Sequence, residues 1–118
     1  MTKIDRINKA IHGEEVDRIP FSIWYHFGLQ YLGGDALAEV ELSFYRAYDL
    51  DFIKVMHDFP YLLPAGLEEI SEPDDWLKLK PLSPTEGGFK KQLRALKIIG
   101  VQLQQEAYFI DTILPLKH

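Results

Sequence analysis

"LDFIKVMHDFPY", residues 50–61, is the stretch on which the reading of this chain turns. Its first half is apolar apart from Lys54, and Phe52, Ile53 and Val55 are residues that suit a pleated, half-buried surface. "DFIKVM" is therefore expected to form a short buried strand. The run then breaks, with no hairpin turn, into His57, Asp58 and Pro60. Titratable side chains set on a loop at the end of a rigid element are well placed to meet a ligand.

Outward from that stretch, helices and strands alternate. Thr2 can cap a short helix carrying Ile4, Ile7, Ala10 and Ile11 on one face, and Gly13 can stop it. "EEVDR" is a charged turn, and "IPFSIWY" (19–25) reads as a strand with Pro20 tolerable near its start. Asp35 is the expected N-cap of "ALAEVELSFYRAY", in which Leu37, Val40, Phe44 and Ala47 or Tyr48 recur at helical spacing while Glu39 and Arg46 turn outward. Residues 57–70 are loop-like, with Pro60, Pro64 and Gly66. "SEPDDWLKL" offers Ser71 as a cap and Pro73 in the first turn. A longer helix fits 86–105 through Phe89, Leu93, Leu96, Ile99 and Leu103, and "AYFIDTIL" is a third strand closed by Pro115. The "GG" pairs at 33–34 and 87–88 are helix-entry turns, not phosphate loops.

The expected order is α-β-α-β-α-α-β. Strands separated by amphipathic helices point to an α/β fold with a parallel sheet, because parallel neighbours need a crossover that returns the chain. Three strands leave two open edges. The chain also reaches "LPLKH" immediately after a strand, where a covering helix is expected. A full (β/α)₈ barrel takes about 250 residues, so residues 1–118 are expected to be the N-terminal part of such a barrel, with about three parallel strands. On this expectation the chain is truncated or completed by partners.

Bulk properties narrow the classes of function. Of 118 residues, 47% are hydrophobic and 26% charged, the balance of an ordinary globular chain. A net charge of −5 with scattered Lys and Arg argues against nucleic acid and anionic membranes as partners. No apolar run approaches the roughly 18 to 20 residues that cross a bilayer. The opening "MTKIDRINKAIHG" lacks the apolar core of a signal peptide, so a cytoplasmic location is expected. The absence of cysteine removes disulfides and thiolate metal sites.

"RINKAIHGEEVDRIPFSIW", "GDALAEVELSFYRAYDLDFIKV" and "SEPDDWLKLKPLSP" succeed one another as do the opening segments of the uroporphyrinogen decarboxylase family, and the chain resembles that family over nearly all its length. The family consists of cobalamin-independent (β/α)₈ barrels and has methyltransferase relatives. Its strand-two segment begins Leu-Asp and carries an aspartate eight residues after the Leu. Leu50 and Asp51 open that segment here, and Asp58 falls on the eighth position. In the family this aspartate accepts pyrrole N–H groups and stabilises the protonated ring, so the resemblance nominates Asp58 as the catalytic residue. A carboxylate is chemically suited to that task, being an acceptor only and favouring cationic character in a dry pocket.

The resemblance implies a porphyrin-biosynthesis type of lyase, which decarboxylates a tetrapyrrole or related carboxylated small molecule without a cofactor. A homodimer is an expectation for the complete protein. The family's strand-one segment departs here: Tyr25 and Leu29 stand where its carboxylate-holding arginines belong, and His26 stands at its Gln position. A smaller or different substrate is the consequence. Tyr25, His26 and His57 are the candidate substrate contacts beside Asp58. Tyr25 and His26 also read as part of a packed "WYHF" rim, and His57–Asp58 as a polar pair closing a turn. Asp111, inside a strand, must find a partner or face a polar cavity. His26, His57, Asp58 and Asp111 have no metal-ligand spacing, and no metal is expected. Trp24 and Trp76 read as packing residues. Two alternatives stand beside the lyase: a methyl-transferring relative working with a corrinoid partner protein and zinc, and an inactive barrel fragment.

Overall fold

The first helix begins where the Thr2 hydroxyl accepts the N–H of Asp5 at 3.0 Å, the cap that the sequence offers. In the computed structural model, which describes residues 1–29 and 31–113, this helix is α1, Lys3–Ile11. Its most buried side chain is not one of the expected isoleucines but Arg6, 7% exposed, while Ile11 lies in solvent. The helices that follow are α2, Gly34–Ala47, and α3, Gly87–Leu103. The strands are β1, Phe52–Val55, and β2, Tyr108–Asp111. β1 and β2 pair in parallel, from Phe52 opposite Tyr108 to Val55 opposite Asp111. The class is α/β, with helices beside a small two-stranded parallel sheet.

Several local expectations are corrected. Gly33, not Asp35, caps α2, and Asp35 sits in the first turn, where it accepts from Arg94 Nε at 2.9 Å. Glycine is needed at the next position because a Cβ on Gly34 would lie 2.2 Å from the carbonyl oxygen of Lys91. That is how α2 and α3 approach so closely. The buried face of α2 is Leu37, Ala38, Glu41, Leu42 and Tyr45, rotated from the expected Leu37–Val40–Phe44 stripe because the helix packs on both α3 and β1. In α3, Gln92, Ala95, Ile99 and Leu103 are buried while Leu93 is half exposed. Residues 73–78 form a 3-10 turn capped at Glu72 rather than a helix capped by Ser71. There the Asp75 carboxylate takes Lys78 and the N–H groups of Glu72 and Ser71, which hold it well below the usual carboxylate range. Pro115, the expected end of the last strand, lies outside the described residues.

The expected strand over 19–25 is absent, so two strands, not three, are found among the described residues. The segment nevertheless runs beside β1 in the same direction. Phe21 and Asp51 exchange contacts, with the Asp51 N–H donating to the Phe21 carbonyl at 3.0 Å and the Phe21 N–H to the Asp51 carboxylate at 2.9 Å. One step on, Ser22 Oγ donates to the Phe52 carbonyl at 2.7 Å. Side chains replace most of the ladder, and Pro20 has no N–H to offer one.

Asp51 anchors this arrangement. Its side chain is fully buried and accepts Arg6 Nη1 at 2.6 Å, Arg18 Nη1 at 2.6 Å and Arg18 Nη2 at 3.0 Å, besides Phe21 N–H. Burial opposes its ionisation, but the hydrogen bonds from Arg18, Phe21 and Arg6 outweigh burial and keep its pKa below the usual value. Asp17 grips the other edge of Arg6 at 2.8 and 2.9 Å.

The core fills the space between α2, α3 and one sheet face, around Leu37, Leu42, Tyr45, Ile53, Val55 and Ile99. Alternation along the strands sends Phe52, Lys54, Tyr108 and Ile110 to the opposite face, where Tyr108 and Ile110 are 42% and 50% exposed. One-sided covering gives an open shape: the radius of gyration is 17.4 Å, against about 13 Å for a fully packed domain of ~100 residues.

Replacing Asp51 with Asn keeps the shape but leaves the Arg18 guanidinium without a counter-charge and Arg6 with Asp17 alone. The expected outcome is a loss of about 3 kcal/mol, seen as a lower urea midpoint at an unchanged slope.

Candidate functional site

Parallel pairing puts the carboxyl ends of both strands at one edge of the molecule, and the polar residues that follow them gather there. Asp111 ends β2 level with Val55, and the Thr112 N–H donates to the Val55 carbonyl at 3.1 Å. Met56, His57 and Asp58 leave β1 at the same edge. The 19–29 segment, held in step with β1 by Asp51 and Ser22, delivers His26 to it. His26 Nδ1 and Asp58 Oδ1 lie 2.6 Å apart, with side chains 57% and 26% exposed.

Two of the residues singled out from the sequence are therefore joined, and two are not. His57 and Asp58 point apart, as successive residues of an extended chain do. Asp58 goes to His26. His57 turns toward Phe59 and Phe89, with ring centroids 6.2 and 6.3 Å away. It lines a separate groove of about 670 Å³ between the 57–62 loop and α3. Tyr25 is 62% exposed and tilts against Phe27 instead of reaching Asp58. Trp24 packs edge-on against His26 and carries Lys54 Nζ 4.5 Å above its ring. The four residues thus do not share one hollow. Among the described residues no three His, Cys, Asp or Glu side chains come together in a group that could hold a metal ion. None of the described helices is long and apolar enough to cross a membrane.

Two polar residues that sequence reading passed over complete the edge. Glu41, on the buried face of α2, is 3% exposed and accepts the Met56 N–H at 3.2 Å. Burial pushes its carboxyl up to about 7; the Met56 N–H opposes the shift and the neighbouring Asp58 charge adds to it. Gln92 of α3, 3% exposed, donates from Nε2 to the Met56 carbonyl at 3.2 Å and to Asp111 Oδ1 at 2.7 Å. Its Oε1 is buried without a hydrogen-bond partner, at a cost of about 1–3 kcal/mol. At the other end of β1, Asp51 sets the register of the segment bearing His26, a role its place in the sequence does not show. The available signal was position: Glu41 and Gln92 each interrupt an apolar stripe, which is where a buried polar role is to be expected.

Chemically, the edge pairs a carboxylate with an imidazole on one side and keeps a second carboxyl, of raised pKa, behind them. Such a separation of carboxyl environments permits one group to hold charge while another holds a proton. Comparison with family models, with curated proteins and with solved structures finds no match to this chain.

The raised pKa of Glu41 carries a sign. A carboxyl that binds its proton more tightly when folded stabilises the fold fully below its unfolded value near 4.5, and that contribution is lost as pH rises toward about 7. Urea unfolding should show stability falling by on the order of 1–3 kcal/mol across this window. Glu41→Gln, which keeps an acceptor for Met56, should flatten the dependence.

Proposed function

We propose that this chain forms the opening part of a (β/α)₈ barrel of the uroporphyrinogen decarboxylase kind, and that its strand-end edge serves a cofactor-free decarboxylation. The observation that carries this reading is the 2.6 Å pairing of His26 with Asp58 at the carboxyl end of a parallel strand. Barrel enzymes keep their chemistry at that end of the strands. The parallel β1–β2 pair, and the 19–26 segment running beside β1 in the same sense, support the barrel part of the reading.

The proposed chemistry starts with protonation of an electron-rich ring, which makes the ring a cation. The bonding pair that held the departing carboxylate then flows into the ring, and carbon dioxide leaves. The exposed carbon takes up a proton and the ring gives one back, so the sum is one carboxylate replaced by hydrogen. Asp58 stabilises the cationic stage electrostatically. His26 occupies only Oδ1 of Asp58, so Oδ2 remains to receive a substrate N–H. With Nδ1 engaged by the carboxylate, His26 presents Nε2 for proton exchange.

The substrate is a carboxylated small molecule with fewer carboxylates than an eight-carboxylate tetrapyrrole. Leu29 packs against the core and Tyr25 is exposed, where the family resemblance expects arginines. Arg6 and Arg18, which precede this segment, are committed to Asp17 and Asp51. A cytoplasmic location belongs to the same reading.

The test is carbon dioxide release from a series of uroporphyrinogens and smaller carboxylated pyrroles. Asp58→Asn should lower turnover by roughly 10²–10³-fold, and His26→Gln by roughly 10²-fold. Release of no carbon dioxide from any of the series, or full turnover by Asp58→Asn, refutes the assignment.

A further inference from the structure

The groove beside α3 faces away from the His26–Asp58 pair, and its chemistry is of another kind. Its walls are apolar and aromatic, built from Phe59, Tyr61, Leu82, Phe89, Leu93 and Leu96. Its volume of about 670 Å³ lies within the range of small-molecule sites. Three polar side chains interrupt this lining: His57, Gln92 and Asp111.

Gln92 fixes what the polar part of the lining offers. Its Nε2 lies between two acceptors, the Met56 carbonyl and the Asp111 carboxylate, so reversing the amide would set oxygen against oxygen. The orientation is therefore determined, and Oε1 is left buried with no donor. Asp111 spends one oxygen on Gln92 and adds negative charge. The hydrogen-bonding capacity left over by Gln92 and Asp111 is thus for acceptance alone. No Lys or Arg is among the described residues lining the groove, the nearby Lys91 ammonium lying over the Phe59 ring at 5.6 Å, and the Asp111 carboxylate within the lining disfavours carboxylates and phosphates as occupants.

We propose that this groove is a binding site for a small aromatic amine, whose ring lies among Phe59, Phe89 and Leu96 and whose ammonium or N–H group is received by Asp111. The site opens at the same strand-end edge through Gln92 and Asp111 but includes neither His26 nor Asp58, and it selects the opposite charge. It stands or falls independently of the proposed reaction, because its readout is binding and not turnover.

Tryptamine serves as the probe and indole-3-acetate as its anionic counterpart, both titrated into the full chain by calorimetry. Tryptamine should bind saturably, and indole-3-acetate at least tenfold more weakly. Asp111→Asn, which retains an acceptor for Gln92, should weaken tryptamine at least tenfold. Leu93→Ser lies on the half-exposed rim and should weaken it roughly threefold or more. Circular dichroism confirms that each variant is folded. The proposal is overturned if tryptamine does not saturate the wild-type chain at millimolar concentration. Equal binding of the anion, or unchanged affinity in a folded Asp111→Asn or Leu93→Ser variant, overturns it equally.

Discussion

A single buried carboxylate holds this molecule in register. Asp51 stands one residue before β1, fully enclosed, and draws in Arg6 from α1, Arg18 from the charged turn and the N–H of Phe21. Removing a carboxylate from water is costly unless its oxygens are satisfied, and here convergent donors satisfy both of them. The consequence reaches beyond stability. The 19–29 segment makes almost no backbone ladder with β1, so its position along the strand is set by Asp51 and by the Ser22 hydroxyl. That position decides which residue arrives opposite Asp58. A slip of one residue would bring Tyr25 or Phe27 there in place of His26 and leave the carboxylate without an imidazole partner.

How much of this could be read in advance depends on the kind of signal. β1 was legible because an apolar run rich in β-formers ends abruptly at His57. α3 was legible because its length and periodicity left no alternative. The faces of the helices were read less well, since α2 packs on two elements at once and buries a wider arc than a single stripe predicts. "IPFSIWY" carries the composition of a strand, yet strand formation is a property of pairing, and its pairing runs through side chains. Composition does not show that difference. Asp51 was visible as a family-like Leu-Asp step but not as an anchor, because its partners stand 30 or more residues away in sequence.

The candidate site was half legible. Asp58 and His26 were each nominated, and the structure brings them together. His57 and Asp58 were read as a unit because they are adjacent, whereas extended backbone sends neighbours to opposite sides. Glu41 sits behind Asp58 as a carboxyl whose pKa burial raises to about 7. A second full negative charge there would raise the cost of ionising Asp58 and of burying α2 together. Raising the pKa of Glu41 lessens both, and its bond to the Met56 N–H fixes the chain just before the turn that carries His57 and Asp58.

The uncovered sheet face bears directly on what the His26–Asp58 pair can accomplish. Two unit charges 4 Å apart interact by about 1 kcal/mol in bulk water and about 4 kcal/mol at the effective dielectric of a protein surface. With His26 more than half exposed and Asp58 a quarter exposed, the pair as it stands lies toward the wet limit. Stabilising a cationic intermediate by several kcal/mol therefore requires that Phe52, Lys54, Tyr108 and Ile110 be covered and water driven from the edge. Covering that face would also bury apolar surface that now faces solvent. The same event that stabilises the fold is thus the one that gives Asp58 its electrostatic strength, and the proposed chemistry is coupled to closure of the sheet by a shared change in dielectric.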